Sequence, residues 1–331
     1  MRGVSKERFI ENFERKVMET VRRYKLLSKR QRIVVALSGG KDSSVLLHVL
    51  NKFGYDIEAL HVYMGGTYFE TLRTCARRLC RKENVNLREI DMKRALGISH
   101  SDMVKLIKKG NLKLNPCYAC GVLRRYLINT AAREMNADRV AVGHNLDDEA
   151  ETIIMNVMKG DVELCLNLGP KTGITESGMF AQRVKPLYFC TNKETEAYAR
   201  FLKLPVARER CPYLTESFRL SVREFLHRLE KINPEVKRVV VENFLAMLPR
   251  LRKKLYKGEK IGTCSVCGGA SRGEVLELLH PLRVVLLPPS GSVKRIVFGC
   301  IDIDVHLQPG HQIDDLTSVL PAPGLTVEAF H

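Results

Sequence analysis

The sequence lacks any uninterrupted apolar run of the roughly 18 residues that a membrane-spanning helix requires, so we expect no transmembrane segment. Its first residues, MRGVSKERF, are charged and contain no apolar core, which excludes a typical secretory signal peptide. We therefore expect a cytoplasmic protein with no membrane partner. In that compartment the ten cysteines stay reduced, and closely spaced pairs of them indicate metal or redox chemistry rather than disulfides.

Acidic residues are too few to balance the basic ones: 37 Asp and Glu face 54 Lys and Arg, which gives a formal net charge of +17. The excess lies before residue 281, because acidic residues outnumber basic ones in 281–331. So basic a chain favours a polyanionic partner; the alternative is a surface rich in Lys and Arg for solubility. A hydrophobic content of 45% excludes a wholly disordered chain, and 331 residues suffice for two domains.

Short β-branched runs alternate with amphipathic segments through most of the chain. The predicted strands are 32–37, 57–63, 87–91, 139–142 and 182–187, and the predicted helices are 6–32, 43–52, 68–83, 100–109, 121–135, 148–159, 192–202 and a basic helical region at 215–257. This order predicts an α/β fold with a doubly wound, mainly parallel, five-stranded sheet, an N-terminal helix and a C-terminal helical extension. The expected organisation is a basic N-terminal helix at 1–31, a catalytic domain at 32–214, a basic helical region at 215–280 and an unassigned tail at 281–331.

A glycine-containing turn, SGGKDS at 38–43, connects the first predicted strand to the next helix. The glycines let the backbone approach an anion, and the helix N-terminus offers N–H groups and the positive end of the helix dipole. The two serine hydroxyls can donate to phosphate oxygens, Lys41 adds positive charge, and Asp42 can help to hold Mg²⁺. The turn is not a Walker A loop, because that motif requires glycine at the position of Val35.

A second polar element, GHNLDDEA at 143–150, follows the predicted strand at 139–142. Two adjacent carboxylates, Asp147 and Asp148, at the carboxyl end of a strand suit Mg²⁺ that is bound together with phosphates. The alternative is a helix N-cap followed by acidic residues in the first helical turn.

Three cysteines form a third candidate site: Cys117 and Cys120 in a CxxC pattern at the start of a predicted helix, and Cys211, which precedes Pro212. A CxxC at a helix N-terminus favours thiolates, because the helix dipole lowers the thiol pKa. Three thiolates around an open corner leave a fourth position for a substrate or a sulfur atom. The residues alone leave open a zinc site that lacks its fourth ligand, a redox pair, or buried cysteines.

The two polar elements together resemble the PP-loop signature of the N-type ATP pyrophosphatases, which share the adenine nucleotide α-hydrolase fold. Members of this family cleave ATP between the α and β phosphates, adenylate a carbonyl oxygen and let a nucleophile displace AMP. The resemblance implies that Gly143 lies against the nucleotide, that Asp148 acts near the phosphates or the metal, and that His61 lies where adenine is held; a structural histidine is the alternative for His61. The implied ATP-binding residues are Ala36, Ser38, Gly39, Gly40, Lys41, Asp42, Ser43, His61, Val62, Gly143, His144 and Asp148.

A CxxC directly before a helix, with a later Cys-Pro, resembles the tRNA 2-thiolation branch of this family. The resemblance implies that Cys117, Cys120 and Cys211 hold a [4Fe-4S] cluster; a persulfide on one cysteine that is resolved by another is the alternative. Arg124 stands where the family often has lysine, and it can clamp phosphate but is a poor proton donor; a solvated basic helix face is its alternative. The implied catalytic residues are Asp42, Asp148, Arg124, Cys117 and Cys211.

Cys264 and Cys267 form another CxxC, followed by two glycines, which resembles half of a zinc knuckle. The related enzymes carry a second CxxC soon afterwards, whereas residues 273–279 contain no cysteine. The pair alone therefore does not complete a zinc site, and zinc binding by Cys264 and Cys267 stays an open alternative.

Together with the charge, the resemblance implies a tRNA 2-thiouridine synthase of the archaeal and eukaryotic cytosolic type. It implies ATP and Mg²⁺ as ligands, tRNA as the substrate, and a ubiquitin-like sulfur-carrier protein as the sulfur donor; a homodimer and the choice between tRNA positions 34 and 54 stay open. The basic helices at 1–32 and 219–260 are the predicted tRNA surface. The alternatives are a cytidine 2-thiolase or lysine ligase acting on tRNA, a small-molecule amidotransferase or synthetase, and an iron–sulfur RNA-binding protein without catalysis.

Overall fold

The computed structural model describes residues 5–109, 115–172, 181–209, 211–213 and 218–256, and it gives the backbone of six short strands after residue 260. The helices in these ranges are α1 Lys6–Arg23, α2 Lys41–Lys52, α3 Thr67–Glu83, α4 Met92–Leu96, α5 His100–Lys109, α6 Pro116–Glu134, α7 Leu146–Met158, α8 Val162–Leu166, α9 Asn192–Phe201, α10 Phe218–Ile232 and α11 Val236–Leu255. The strands are β1 Ile33–Ala36, β2 Ile57–Tyr63, β3 Leu87–Asp91, β4 Arg139–Ala141, β5 Lys171–Thr172, β6 Gln182–Val184, β7 Ile261–Thr263, β8 Ala270–Arg272, β9 Val284–Leu286, β10 Lys294–Phe298, β11 Ile301–Val305 and β12 Val327–Ala329.

The main sheet has the strand order β3-β2-β1-β4-β6-β5. Strand β1 pairs in parallel with β2 and β4, and β4 pairs in parallel with β6. Ile33, Val34 and Val35 of β1 are all buried, as is typical of a central strand covered on both faces. The doubly wound α/β prediction is confirmed, with one more strand than predicted. The additional strand is β5, which has two residues and runs antiparallel to β6, and is too short to produce a recognisable sequence pattern.

The order of the strands reverses at β1, because β2 and β3 lie on one side of it and β4 and β6 on the other. In doubly wound sheets, ligands bind beyond the carboxyl ends of the strands at such a reversal. The SGGKDS turn follows β1 and the GHNLDDEA element follows β4, so the two predicted motifs begin at this edge of the sheet.

The chain divides into two compact units. The first comprises Met1–His61, Thr71–Glu89 and Ala132–Gly258. Helix α1 buries Phe13, Val17 and Val21 in its core, at the spacing of four that places them on one helix face. The helix ends at Arg23 rather than continuing to residue 32, because Lys25 adopts a left-handed conformation with φ of 48°.

The predicted helical region at 215–257 forms two helices, α10 and α11. Pro234 lies between them and cannot supply the backbone N–H that a continuous helix needs. Val222 of α10 and Phe244 of α11 are buried together with Ile153 of α7 in one apolar cluster. This extension therefore packs on the helix that carries the second polar motif.

The second unit comprises Val62–Glu70, Ile90–Ala131 and Glu259–His331. Its helix α6 begins at Pro116, so the CxxC pattern lies in the first helical turns rather than before the helix. Proline is favoured at a first helical position because its missing N–H has no acceptor there. In the part of the chain predicted as an unassigned tail, β10 and β11 pair antiparallel and β9 pairs in parallel with β12.

No helix within the described ranges combines the length and the hydrophobicity needed to cross a membrane.

Candidate functional site

The SGGKDS turn is closed by hydrogen bonds among its own groups. The Ser43 hydroxyl accepts from the backbone N–H of Ser38 at 3.1 Å and lies 2.9 Å from the Ser38 hydroxyl. The Ser38 hydroxyl also accepts from the backbone N–H of Gly40 at 3.2 Å. Both serines therefore fix the shape of the loop, in addition to the phosphate role predicted from their hydroxyls.

Two glycines are required by close backbone contacts. Gly39 has a φ of +83°, and a Cβ atom there would lie 2.1 Å from the carbonyl oxygen of Leu72. A Cβ atom on Gly143 would lie 2.7 Å from the backbone nitrogen of Ser43. The second motif therefore rests directly on the first turn of α2, which only glycine permits at that distance.

The N-terminus of α2 is built to receive an anion. Gly40 occupies the N-cap position and provides no side-chain cap. The first backbone N–H groups of a helix have no acceptor within the helix, and the helix dipole adds partial positive charge at this end. The donor set of this turn, with the adjoining Lys41 ammonium, fits the phosphates of a nucleotide.

Asp42 is held by donors from three different segments. Its Oδ1 atom accepts from the Lys41 ammonium at 2.7 Å, from the Asn145 amide at 3.1 Å and from the Thr195 hydroxyl at 2.7 Å. Asn192 contacts the same Lys41 ammonium. The N-terminus of α9 thus forms a wall of this site beside the two predicted motifs.

Sequence reasoning missed Asn145, Asn192 and Thr195 as site residues. Thr195 is fully buried, and its side-chain hydroxyl forms hydrogen bonds with the Asp42 carboxylate and with a carbonyl oxygen of its own helix. The signal that could have indicated them is topological: α9 follows β6, a parallel neighbour of β4, and so begins at the same edge of the sheet.

The two adjacent carboxylates of the second motif have different surroundings. Asp147 accepts from the Lys237 ammonium of α11 at 2.6 Å and from the backbone N–H of Asn192 at 2.7 Å, so it joins α7 to α9 and α11. Asp148 forms a capping box with Asn145, which is the helix-cap arrangement considered as the alternative. Asp148, rather than the pair, is therefore the carboxylate of this motif that interacts with the charge of Asp42.

Burial raises the pKa of Asp148 to about 7, and the negative charges of Asp42 and Glu151 add to the rise. Glu151 lies one turn along α7 and accepts from Arg219 and Arg223 of α10 at 3.1 and 2.6 Å. A carboxylate whose ionisation is opposed in this way favours a cation, such as Mg²⁺, brought close to it.

Four predicted nucleotide contacts remain: Ala36, His61, Val62 and His144. The Nδ1 atom of the buried His61 donates to the carbonyl oxygen of Leu37 at 2.8 Å. A histidine with a purely structural role would form the same hydrogen bond. Ala36 ends β1, Val62 is buried in β2, and His144 is exposed. Their contacts with a nucleotide remain predictions.

The predicted cluster ligands occupy two segments. Cys117 and Cys120 lie in the first turns of α6, and Cys120 is buried with 7% of its surface exposed. The Arg124 guanidinium donates to Cys120 Sγ at 3.1 Å, which places a cation one turn after the thiol. Cys211 lies in the short segment 211–213 of the first unit.

Within the described ranges, no three His, Cys, Asp or Glu side chains are gathered closely enough to hold a single metal ion. An iron–sulfur cluster does not need such a gathering, because each thiolate binds a different iron. Two thiols on one face of α6, with a guanidinium beside them, fit that donor chemistry. Cys264 and Cys267, the predicted zinc pair, lie outside the described residues.

Cys80 and Cys190, two buried cysteines outside the motifs, have the properties of inert core residues. Burial raises the pKa of the Cys80 thiol to about 12, and it raises the pKa of Cys190 as well. Thiols of this kind stay protonated and are poor nucleophiles or ligands.

Comparison with known protein families matches residues 9–229 to a model described as a PP-loop domain. The chain is 36% identical over 274 residues to tRNA-5-methyluridine(54) 2-sulfurtransferase of Pyrococcus horikoshii, a match that covers 81% of this chain and 84% of that protein. It is 34% identical over 278 residues to cytoplasmic tRNA 2-thiolation protein 1 of Anopheles gambiae, covering 80% and 78% of the two chains.

Among solved structures, the fold is similar to that of the U34-tRNA thiolase NcsA from Methanococcus maripaludis with its [4Fe-4S] cluster. The TM-score is 0.68 at 31% sequence identity, and the match covers 82% of this chain and 86% of that one.

We expect Asp148→Asn to stabilise the protein in a pH-dependent way. The folded-state pKa lies above that of the unfolded chain, so the wild-type protein loses stability as the pH rises from about 4 through 7. Asparagine keeps an acceptor for the Asn145 N–H but carries no charge. The variant should match the wild-type melting temperature at pH 4 and exceed it at pH 8, by roughly 2–4 °C for each kcal/mol of relieved repulsion.

Asp147→Asn is the matched control, because it removes the neighbouring charge that Lys237 neutralises. It should lower the melting temperature at pH 8. An equal rise in melting temperature for Asp148→Asn at both pH values would show that the raised pKa of Asp148 is not the cause.

Proposed function

We propose, from the premise that this chain belongs to the PP-loop domain family and within it to the tRNA 2-thiolation proteins, that it thiolates a tRNA uridine at C2 at the expense of ATP. The observation that carries the proposal is the uncapped N-terminus of α2, against which Gly143 packs and beside which Asp42 and Asp148 lie. This arrangement supplies phosphate donors and Mg²⁺ ligands at one edge of the sheet.

ATP is the first substrate in this proposal. Its phosphates accept from the backbone N–H groups of the SGGKDS turn, and the Lys41 ammonium balances their charge. Asp42 and Asp148 hold Mg²⁺ with the phosphates, and Thr195 keeps the Asp42 carboxylate oriented. Adenine occupies the end of β2, near His61.

The reaction then has two displacements. The C2 carbonyl oxygen of the uridine attacks the α-phosphate, and pyrophosphate leaves with the bonding pair of the broken P–O bond. A sulfur nucleophile next attacks C2, and AMP departs with the former carbonyl oxygen. The products are AMP, pyrophosphate and a C2=S nucleoside.

Cys117, Cys120 and Cys211 are the proposed cluster ligands. When bound, a [4Fe-4S] cluster supplies the sulfide that acts as the nucleophile. Arg124 holds its guanidinium beside Cys120 Sγ, where it offsets thiolate charge. Burial of Cys120 limits access of water to that sulfur.

The basic helices within 1–32 and 219–260 form the tRNA surface in this proposal. A ubiquitin-like carrier with a C-terminal thiocarboxylate is the sulfur donor, and the protein acts in the cytoplasm. The proposed boundaries are a basic N-terminal segment at 1–31 that contains α1, the catalytic domain at 32–214 and a basic helical region at 215–280.

The first test follows the products. Anaerobically reconstituted protein with unmodified tRNA, ATP, Mg²⁺ and sulfide should yield AMP and 2-thiouridine, measured by chromatography and by mass spectrometry of digested nucleosides. Asp42→Ala should abolish both products. AMP formation that yields 2-thiocytidine, or no thiolated nucleoside, would contradict the proposal.

The cysteine assignment is tested by iron content and Mössbauer spectra, independently of activity. Cys117→Ala, Cys120→Ala and Cys211→Ala should each lose most of the reconstituted cluster. Cys165→Ala, which changes a buried cysteine of the apolar cluster around α7, should retain it. Full iron content in all three motif variants would show that the assignment is wrong.

Thr195→Val tests the wall formed by α9. Valine keeps the volume but removes the hydroxyl that donates to Asp42 at 2.7 Å, a charge-assisted hydrogen bond of about 1.5–3 kcal/mol. We expect the dissociation constant of ATP·Mg²⁺, measured by calorimetry, to rise about tenfold or more. Thr195→Ser restores the hydroxyl and should bind like wild type; an equal defect in both variants would indicate a packing effect instead.

A further inference from the structure

A groove runs between α1 and α11 in the first unit, and none of the proposed ATP or cluster residues lines it. One cavity of about 670 Å³ is bounded by the end of α1, residues 168–171 and α11. A second, of about 470 Å³, adjoins it along α1 and shares Arg23, Phe189 and Glu242 with it. We call this feature the α1–α11 groove.

Positive charge dominates the α1–α11 groove. Its basic lining residues are Lys16, Arg22, Arg23, Lys171, Arg238 and Arg252, and its acidic ones are Glu19 and Glu242. Lys16 and Arg238 are neutralised by Glu194 and Glu235. Arg22, Arg23 and Lys171 form no ion pair with any described residue, so this charge faces the open groove.

Lys171 belongs to a cluster of three cations. Burial lowers its pKa, and the positive charges of Arg139 and Lys25 lower it further. The Nε atom of Arg139 is buried and has no hydrogen-bond partner. Within the described part of the chain, none of the three cations is paired with a carboxylate, so the folded protein bears their mutual repulsion.

Two aromatic rings line the same cavity as Lys171 and Arg23. Tyr24 and Phe189 stack with their ring centroids 5.8 Å apart and an angle of 27° between planes. The Arg23 guanidinium lies 5.5 Å from the centroid of the Tyr24 ring. Cations that follow a strand backbone, interleaved with rings on which bases stack, are the combination that proteins use for single-stranded nucleic acid.

We infer that the α1–α11 groove binds a strand of the tRNA substrate, with phosphates at Arg22, Arg23 and Lys171 and a base against Tyr24. The inference rests on the proposed function for the identity of the polyanion. It adds a contact separate from the ATP site, because the two share no residue.

A second copy of the chain is a poorer occupant of the groove. In a two-fold symmetric interface the same surface meets itself, so the unpaired cations of one copy would face those of the other. Such juxtaposition of like charges costs free energy, whereas RNA phosphates neutralise them and release counterions.

The experiment measures binding of unmodified tRNA in the absence of ATP, by filter binding over a range of salt concentrations. Lys171→Gln and Arg23→Gln should each weaken binding about fivefold and reduce the slope of log affinity against log salt by about one. Lys203→Gln, which removes an exposed charge outside the groove, is the matched control and should leave the slope unchanged.

Thermal unfolding separates this role from a structural one. Because the cations repel one another, Lys171→Gln should keep or raise the melting temperature while it lowers tRNA affinity. Unchanged affinity would overturn the inference, as would an equal loss in Lys203→Gln. So would a loss that tracks unfolding, or dimer dissociation in sedimentation without an RNA defect.

Failure of the proposed function has a different signature. Absence of AMP and thiolated nucleoside, with tRNA binding that still depends on Lys171, would refute thiolation and leave an RNA groove. Intact thiolation with binding indifferent to Lys171 and Arg23 would refute the groove alone.

Discussion

The contact between Gly143 and the first turn of α2 is the constraint on which the site depends. A side chain at 143 would place its Cβ atom 2.7 Å from the Ser43 nitrogen, so the segment after β4 can reach α2 only as bare backbone. That approach brings Asn145 within 3.1 Å of Asp42 and sets Asp148 beside the same carboxylate. The absence of a side chain at Gly143 therefore allows contact between two motifs that lie about a hundred residues apart in the sequence.

Local patterns were sufficient to predict the architecture, because β1 and β2 are apolar runs bounded by turns and glycines. They failed where the chain's path depends on distant packing. No sequence pattern in residues 24–32 predicts that Lys25 adopts a left-handed backbone conformation and ends α1. The two residues of β5 form a strand only because they pair with β6. Thr195 joins the site because β6 lies in register with β4, which no single segment encodes.

Three buried carboxylates in the first unit have internal partners, and this helps to explain where the excess positive charge is found. Glu14 accepts from Lys52 and Tyr198, Glu149 from Lys185, and Glu151 from two arginines. Each of these glutamates is buried and neutralised, as buried charges must be. These three glutamates therefore hold elements of the fold together and are not available to neutralise Lys and Arg at the surface.

The relatives differ in the nucleotide that their names specify, position 54 in one case and position 34 in another, at similar identity to this chain. Adenylation and sulfur transfer act on the same C2 carbonyl at either position, so the chemistry of the ATP site has no means of choosing between them. The choice must therefore be made where the body of the tRNA is held. Surfaces away from the reacting atoms, such as the α1–α11 groove, are where substrate selection can differ between proteins that share this site.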